Sequence, residues 1–140
     1  MKKTILVIDD DYLDVESVKR ALKKLNADYE LHVAHNGVDG LAMLTGNIPE
    51  RKKIIPDIIL LDVNMPKMNG MEFLRIIKSY YSLKSIKTFI LTTSADEYDK
   101  IAAENIGVQG YILKPLNFQD KASKDTMNLL KEILSDEPGS

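Results

Sequence analysis

The sequence predicts a doubly wound α/β domain built on a parallel five-stranded sheet. Two observations carry that prediction: short aliphatic or β-branched runs recur five times along the chain, and amphipathic helical spacing fills the intervals between them. The runs lie at residues 4–8, 31–34, 58–61, 88–91 and 109–113. Stretches such as Ile5-Leu6-Val7-Ile8 and Ile58-Ile59-Leu60-Leu61 lack apolar–polar alternation, which suits strands covered on both faces. Alternation of strand and helix then makes a parallel sheet the expected one.

The helices follow in order. Val15, Val18, Leu22 and Leu25 repeat at intervals of three and four, and a second helix is expected from Val38 to about Thr45. Phe73, Leu74 and Ile77 mark the third, with Gly70 starting it after a tight turn. The fourth spans residues 96–105 with Tyr98 and Ile101 inward, closed by Gly107. The fifth runs through Ala122, Thr126, Leu129 and Ile133, with Lys121, Lys124 and Lys131 outward, a face read as solvated in preference to partner-binding. Residues 45–56 form the one long connection, polar and punctuated by Gly46, Pro49 and Pro56, and are expected as a surface loop. One domain over residues 1–135 with a short tail at 136–140 accounts for the chain.

Composition removes whole classes of function. The 140 residues are 44% hydrophobic and 29% charged, with a net charge of -2, the profile of an ordinary globule. Without cysteine there is no disulfide, thiol nucleophile or cysteine-ligated metal. The two histidines, His32 and His35, flank the second strand and are read as structural or solvent-facing. No apolar run approaches the roughly 20 residues that span a bilayer, so no membrane role is expected. No signal-peptide core follows Lys2-Lys3, and the expected location is cytoplasmic. Near-neutral charge, with Arg51-Lys52-Lys53 as the densest basic cluster, argues against nucleic acid as a partner.

Chemistry is expected where strands end, because ligands of open α/β sheets sit outside the carboxyl ends of the strands. Those ends carry Asp9-Asp10-Asp11, Asp62, Thr92-Thr93-Ser94 and Lys114-Pro115. An acidic triplet alone is usually a solvated loop or a helix cap. Thr92 alone is an ordinary strand residue, Tyr111 an ordinary core aromatic and Lys114 an ordinary surface lysine. Asp62 resists such a reading, since a carboxylate at the inner end of a central strand is costly without a cation. Gathered carboxylates suit a hard divalent ion, and Mg2+ is the expected cofactor.

The set Asp9-Asp10, then Asp62 within Asp62-Val63-Asn64-Met65-Pro66-Lys67-Met68-Asn69-Gly70, then Thr92, then Gly107 to Lys114-Pro115 resembles the receiver domain of two-component response regulators over essentially the whole chain. The resemblance implies a flavodoxin-like fold with strand order 2-1-3-4-5. It implies that Asp62 is the phosphoacceptor, taking a phosphoryl group from a phosphohistidine on a sensor histidine kinase. By the same resemblance Asp10 and Asp62 bind Mg2+ directly, Asn64 binds it through its main-chain carbonyl, and Asp9 through water. Thr92 and Lys114 contact the phosphoryl group, and Tyr111 is the aromatic switch. No catalytic residue beyond these is implied, and the chain is not an enzyme except in assisting its own phosphorylation and dephosphorylation.

Elementary electrostatics fits those roles. Asp9, Asp10 and Asp62 carry three negative charges, which Mg2+ and Lys114 balance. Phosphorylation takes the acceptor from -1 to about -2 and recruits new donors. If Thr92 moves toward the phosphoryl group, the ring of Tyr111 can rotate into the space behind it. Three departures from the family pattern stand out. Asp11 is a third acid, left out of the ligand set; Thr93 is bulky where small residues are common and narrows access to the phosphoryl group; the 45–56 loop resembles that of stand-alone regulators paired with phytochrome-type kinases. The resemblance also makes Lys114-Pro115 a candidate cis bond.

The expected function is therefore a single-domain phosphorylation switch, a monomer or weak homodimer, that binds a downstream protein target. An Mg2+-dependent phosphatase would need a second aspartate where Asn64 stands, to act as general acid. A flavin-binding protein would need amides and hydroxyls where the acidic triplet would repel phosphate. A non-phosphorylated adaptor is disfavoured by the completeness of the acidic pocket.

Overall fold

The computed structural model describes residues 2–25, 27–47, 52–65, 68–103, 106–114 and 121–135. The elements alternate strictly: β1 (Lys3–Ile8), α1 (Tyr12–Lys23), β2 (Tyr29–Ala34), α2 (Gly37–Thr45), β3 (Ile58–Asp62), α3 (Gly70–Ser79), β4 (Lys87–Thr92), α4 (Ala95–Ala103), β5 (Gly110–Leu113) and α5 (Lys121–Ser135). All strand pairs are parallel and the order is β2-β1-β3-β4-β5, as the resemblance implied.

The period of two along each strand divides the core into two layers. Leu6, Ile8, Ile59, Leu61 and Ile90 point to one face, where α2, α3 and α4 contribute Leu44, Phe73, Leu74, Ile77 and Ile101. Ile5, Val7, Ile58, Leu60, Phe89, Leu91 and Ile112 point to the other, against Val15, Val18 and Leu22 of α1 and Met127, Leu130 and Leu134 of α5. Covering both faces explains why β1 and β3 read as continuous apolar runs. Burial of each such side chain stabilises the fold by about 1.5–3 kcal/mol.

Local chemistry fixes the helix starts. Asp11 caps α1, accepting from the backbone N–H groups of Leu13 and Asp14; Asn36 caps α2 through Asp39 N–H, and Asn69 caps α3 through Glu72 N–H. The Oδ1 of Asp11 is thus occupied as a cap. Gly46 ends α2 at φ +75.

The long connection departs from the expectation of a surface loop. Ile54 and Pro56 are buried, and Ile54 N–H donates to Met43 carbonyl at 3.0 Å. Ile54 joins the core beneath α2 and Pro56 is buried before β3, while Lys52, Lys53 and Ile55 between and before them stay exposed. Its residues 48–51, the tail at 136–140, and Pro115, on which the cis bond depends, lie outside the described residues. No helix among the described residues is long and apolar enough to cross a membrane.

Candidate functional site

The strand order places the chemistry. β1 and β3 are neighbours from which the chain winds outward in both directions, the switch point at which open α/β sheets leave a crevice. Ile8 pairs with Leu61, so Asp9 and Asp62 stand side by side. Thr92 closes β4, and Lys114 follows β5 with its backbone N–H on Thr92 carbonyl at 2.7 Å. Asp9, Asp10, Asp62, Thr92 and Lys114 are therefore brought to one end of the sheet.

Asp9 is fully buried. Its backbone N–H bonds Ala34 carbonyl at 3.1 Å, and its Oδ1 accepts from Asp11 N–H at 2.9 Å. Asp62, 4% exposed, accepts Asn64 N–H on Oδ1 at 3.1 Å. The tight turn beneath it explains Gly70: a Cβ there would lie 2.7 Å from Val63 Cα and 3.0 Å from Asp62 carbonyl oxygen. Glycine lets the start of α3 approach the acidic turn.

Lys114 Nζ reaches three carboxylates: Asp14 at 2.8 Å, Asp9 at 3.1 Å and Asp62 at 3.3 Å. Burial alone would lower the lysine, but the Asp14 hydrogen bond and the charges of Asp9 and Asp62 more than offset it and hold its pKa above the ordinary value. For the acids the balance goes the other way. Burial pushes Asp9 up despite Asp11 N–H and Lys114, and pushes Asp62 from 3.8 to about 6 despite Lys114, with Asp9 adding like-charge repulsion. One ammonium does not neutralise this cluster.

A hard cation fits the remaining space. Carboxylate oxygens of Asp9, Asp10 and Asp62 lie within 4.8 Å of one another, with Asp10 exposed and the other two buried. Asp9 Oδ2 is near Lys114 but has no aligned hydrogen-bond donor among the described residues, which leaves a buried lone pair for a further positive partner.

Thr92 is buried, and its hydroxyl serves its own loop: it donates to Ser94 carbonyl at 3.1 Å and accepts Ser94 N–H at 3.2 Å. Thr93 beside it is exposed. Tyr111 on β5 is half-buried, its ring centroid 4.4 Å from that of Tyr98 on α4 with 35° between the planes. The arrangement thus links a buried hydroxyl at the end of β4 to the loop that enters α4, where the aromatic pair packs.

Asp14 is the residue that sequence reasoning missed. It lies one helical turn before buried Val18 on α1, and a carboxylate on the apolar stripe in the turn nearest the strand ends was the available signal. It also corrects the charge balance: Lys114 faces Asp9, Asp14 and Asp62 while the candidate metal cluster is Asp9, Asp10 and Asp62, so four carboxylates in all share the lysine and any divalent ion.

A model of the response regulator receiver domain matches residues 5–124. Response regulator Rcp1 of Synechocystis sp. is 36% identical over 118 residues, 84% of this chain and 80% of that one. Its Mn2+-bound structure aligns with a TM-score of 0.72 at 33% identity, covering 97% of each chain. Bacteriophytochrome response regulator RtBRR gives a TM-score of 0.80 at 31% identity, over 100% of this chain and 82% of its own. The phosphorylated cyanobacterial phytochrome response regulator RcpA also gives 0.80, at 29% identity over 99% and 98%. The chain spans about half the length of several other regulators that it matches.

Proposed function

The chain belongs to the response regulator receiver domain family of two-component systems, whose members are phosphorylated on aspartate, and from that membership we propose that Asp62 is the acceptor in this protein. The observation that carries the assignment is the position of Asp62 at the switch point, beside Asp9 and within 3.3 Å of the Lys114 ammonium. The receiver is taken as residues 1–135.

In this reading a phosphohistidine of a sensor histidine kinase is the donor. The phosphorus–nitrogen bond breaks as a bond to an Asp62 carboxylate oxygen forms, and the imidazole leaves as the neutral base after taking a proton. Such transfer needs positioning and charge neutralisation more than covalent help. Asp10 and Asp62, the Asn64 carbonyl, and Asp9 through water would hold Mg2+, which supplies positive charge to the transferring oxygens. The Mn2+-bound form of Rcp1, and the Asp9 oxygen that pairs with Lys114 but lacks an aligned hydrogen-bond donor, support a divalent ion here.

Lys114 neutralises the oxygens that the metal does not reach. Thr92 exchanges its bond to Ser94 for one to the phosphoryl group, and the loop into α4 follows. Tyr111, packed on Tyr98, then changes its ring position, so a charge added at Asp62 alters the α4–β5 surface presented to a downstream protein. Asn64 offers no general acid of the kind a phosphatase needs. Likeness to phytochrome response regulators makes a phytochrome-type kinase the candidate partner, in the cytoplasm.

The test is intact mass after incubation with acetyl phosphate and Mg2+. One phosphoryl mass is expected on the wild type and none on Asp62→Asn. Full stoichiometric phosphorylation of that variant would overturn the assignment.

A further inference from the structure

We propose that Asp14 is a positioning residue that competes with the phosphoryl group for the Lys114 ammonium, and so sets how tightly the site holds a phosphoryl group it never touches. The inference rests on Asp62 being the acceptor. It starts from the distances: the closest partner of Lys114 is not at a strand end but on α1, with Asp14 Oδ2 at 2.8 Å against 3.1 Å for Asp9 and 3.3 Å for Asp62.

An ammonium has three N–H bonds and no acceptor. Asp9 and Asp14 share this ammonium with Asp62, so drawing it from 3.3 Å onto a phosphoryl oxygen at Asp62 pulls it away from one of the other two. The side chain of Asp9 is 0% exposed, so bulk solvent does not compensate it for loss of the lysine. The side chain of Asp14 is 24% exposed and can be rehydrated where it stands. The Asp14 bond is therefore the one that yields.

The carboxylate is also held in place for this competition. Asp11 Oδ1 accepts from both Leu13 and Asp14 N–H at the start of α1, at 2.8 and 3.4 Å, which fixes the backbone that carries Asp14. Resting protein thus keeps Lys114 on α1. Phosphorylated protein draws it toward Asp62, because the acceptor's charge has risen to about -2 and its oxygens are strong acceptors.

The experiment measures equilibrium binding of beryllofluoride, a phosphoryl mimic, with Mg2+ by calorimetry. Wild-type binding that is lost in Asp62→Asn establishes the acceptor reading; binding retained by that variant would remove it and this proposal with it. Given that loss, Asp14→Asn should tighten binding about threefold to tenfold, the range for a partly exposed charge-assisted hydrogen bond. Asp14→Glu should restore wild-type affinity. Glu16→Gln removes the same charge from the same helix, where Glu16 pairs with Lys19, and should change nothing. In a Lys114→Gln background the Asp14→Asn effect should vanish. Unchanged affinity in Asp14→Asn, equal tightening by Glu16→Gln, or tightening that persists without Lys114 would each overturn the proposal while leaving Asp62 as the acceptor.

Discussion

Replacing Asp62 by Asn should stabilise the metal-free protein at neutral pH while abolishing phosphorylation. Burial, and the nearby Asp9 charge, raise the Asp62 carboxyl from an ordinary 3.8 to about 6 against the opposing pull of Lys114. Between those two values the folded protein keeps a proton that the unfolded chain has released. The native state then binds more protons than the unfolded one, and unfolding free energy falls as pH rises. Below about pH 3.8 both states are protonated and the penalty is absent; above about 6 it is complete. At about 1.36 kcal/mol per pH unit, the gap amounts to about 3 kcal/mol. Asn is close in shape to protonated Asp and can still accept Asn64 N–H, so it should recover most of that amount at pH 7.5. Urea unfolding followed by circular dichroism, with EDTA present, measures the difference. The Asn variant should be more stable by about 2–3 kcal/mol at pH 7.5 and by far less at pH 4.5. Mg2+ at about 100 times its dissociation constant stabilises the wild type by about 2.7 kcal/mol and should close most of the gap. An Asn variant less stable than wild type at pH 7.5 without metal, or a gap that does not shrink at pH 4.5, would show that burial of Asp62 is not the dominant cost.

Two further outcomes are expected. Asp10→Ala should abolish phosphorylation by acetyl phosphate and weaken Mg2+ binding in calorimetry, since Asp10 is the exposed member of the carboxylate cluster; unchanged Mg2+ affinity would take Asp10 out of the ligand set. Gly70→Ala should cost about 1–3 kcal/mol in urea unfolding, because the new Cβ meets the backbone of Val63 and Asp62, which cannot swing aside as a side chain could. An unaltered unfolding midpoint would mean that the approach of α3 to the acidic turn is looser than these distances require.

The strands were legible because both their faces are buried, which writes continuous apolar runs into β1 and β3, and strand order then carried Asp9, Asp62, Thr92 and Lys114 to a common end. What pattern reading loses is anything decided by a single tertiary contact. Ile54 sits in a polar, proline-punctuated stretch, and nothing local shows that it returns to Met43. Asp14 reads as a first-turn acid suited to the helix dipole, a sufficient explanation that hides its second role. The expectation for Thr92 was a contact with the phosphoryl group, and nothing local shows that Ser94 holds its hydroxyl beforehand.

Those last two residues share a logic. A switch requires that its resting state be satisfied, for a buried hydroxyl or ammonium without partners would seize the first anion to arrive, and the site would have no definite off position. Thr92 is satisfied by the loop into α4, and Lys114 by α1. In the proposed reading each moving group is thus held by a different helix-bearing segment, and a phosphoryl group on Asp62 would have to outcompete both. The Thr92–Ser94 bond connects that competition to α4 and Tyr98, and the Lys114–Asp14 bond connects it to the start of α1. Weakening only one of the two should therefore separate tight phosphoryl binding from the change at the α4–β5 surface. Asp14→Asn would tighten the site without loosening the Thr92 loop, and beryllofluoride would be bound more firmly with no larger change in the environment of Tyr111.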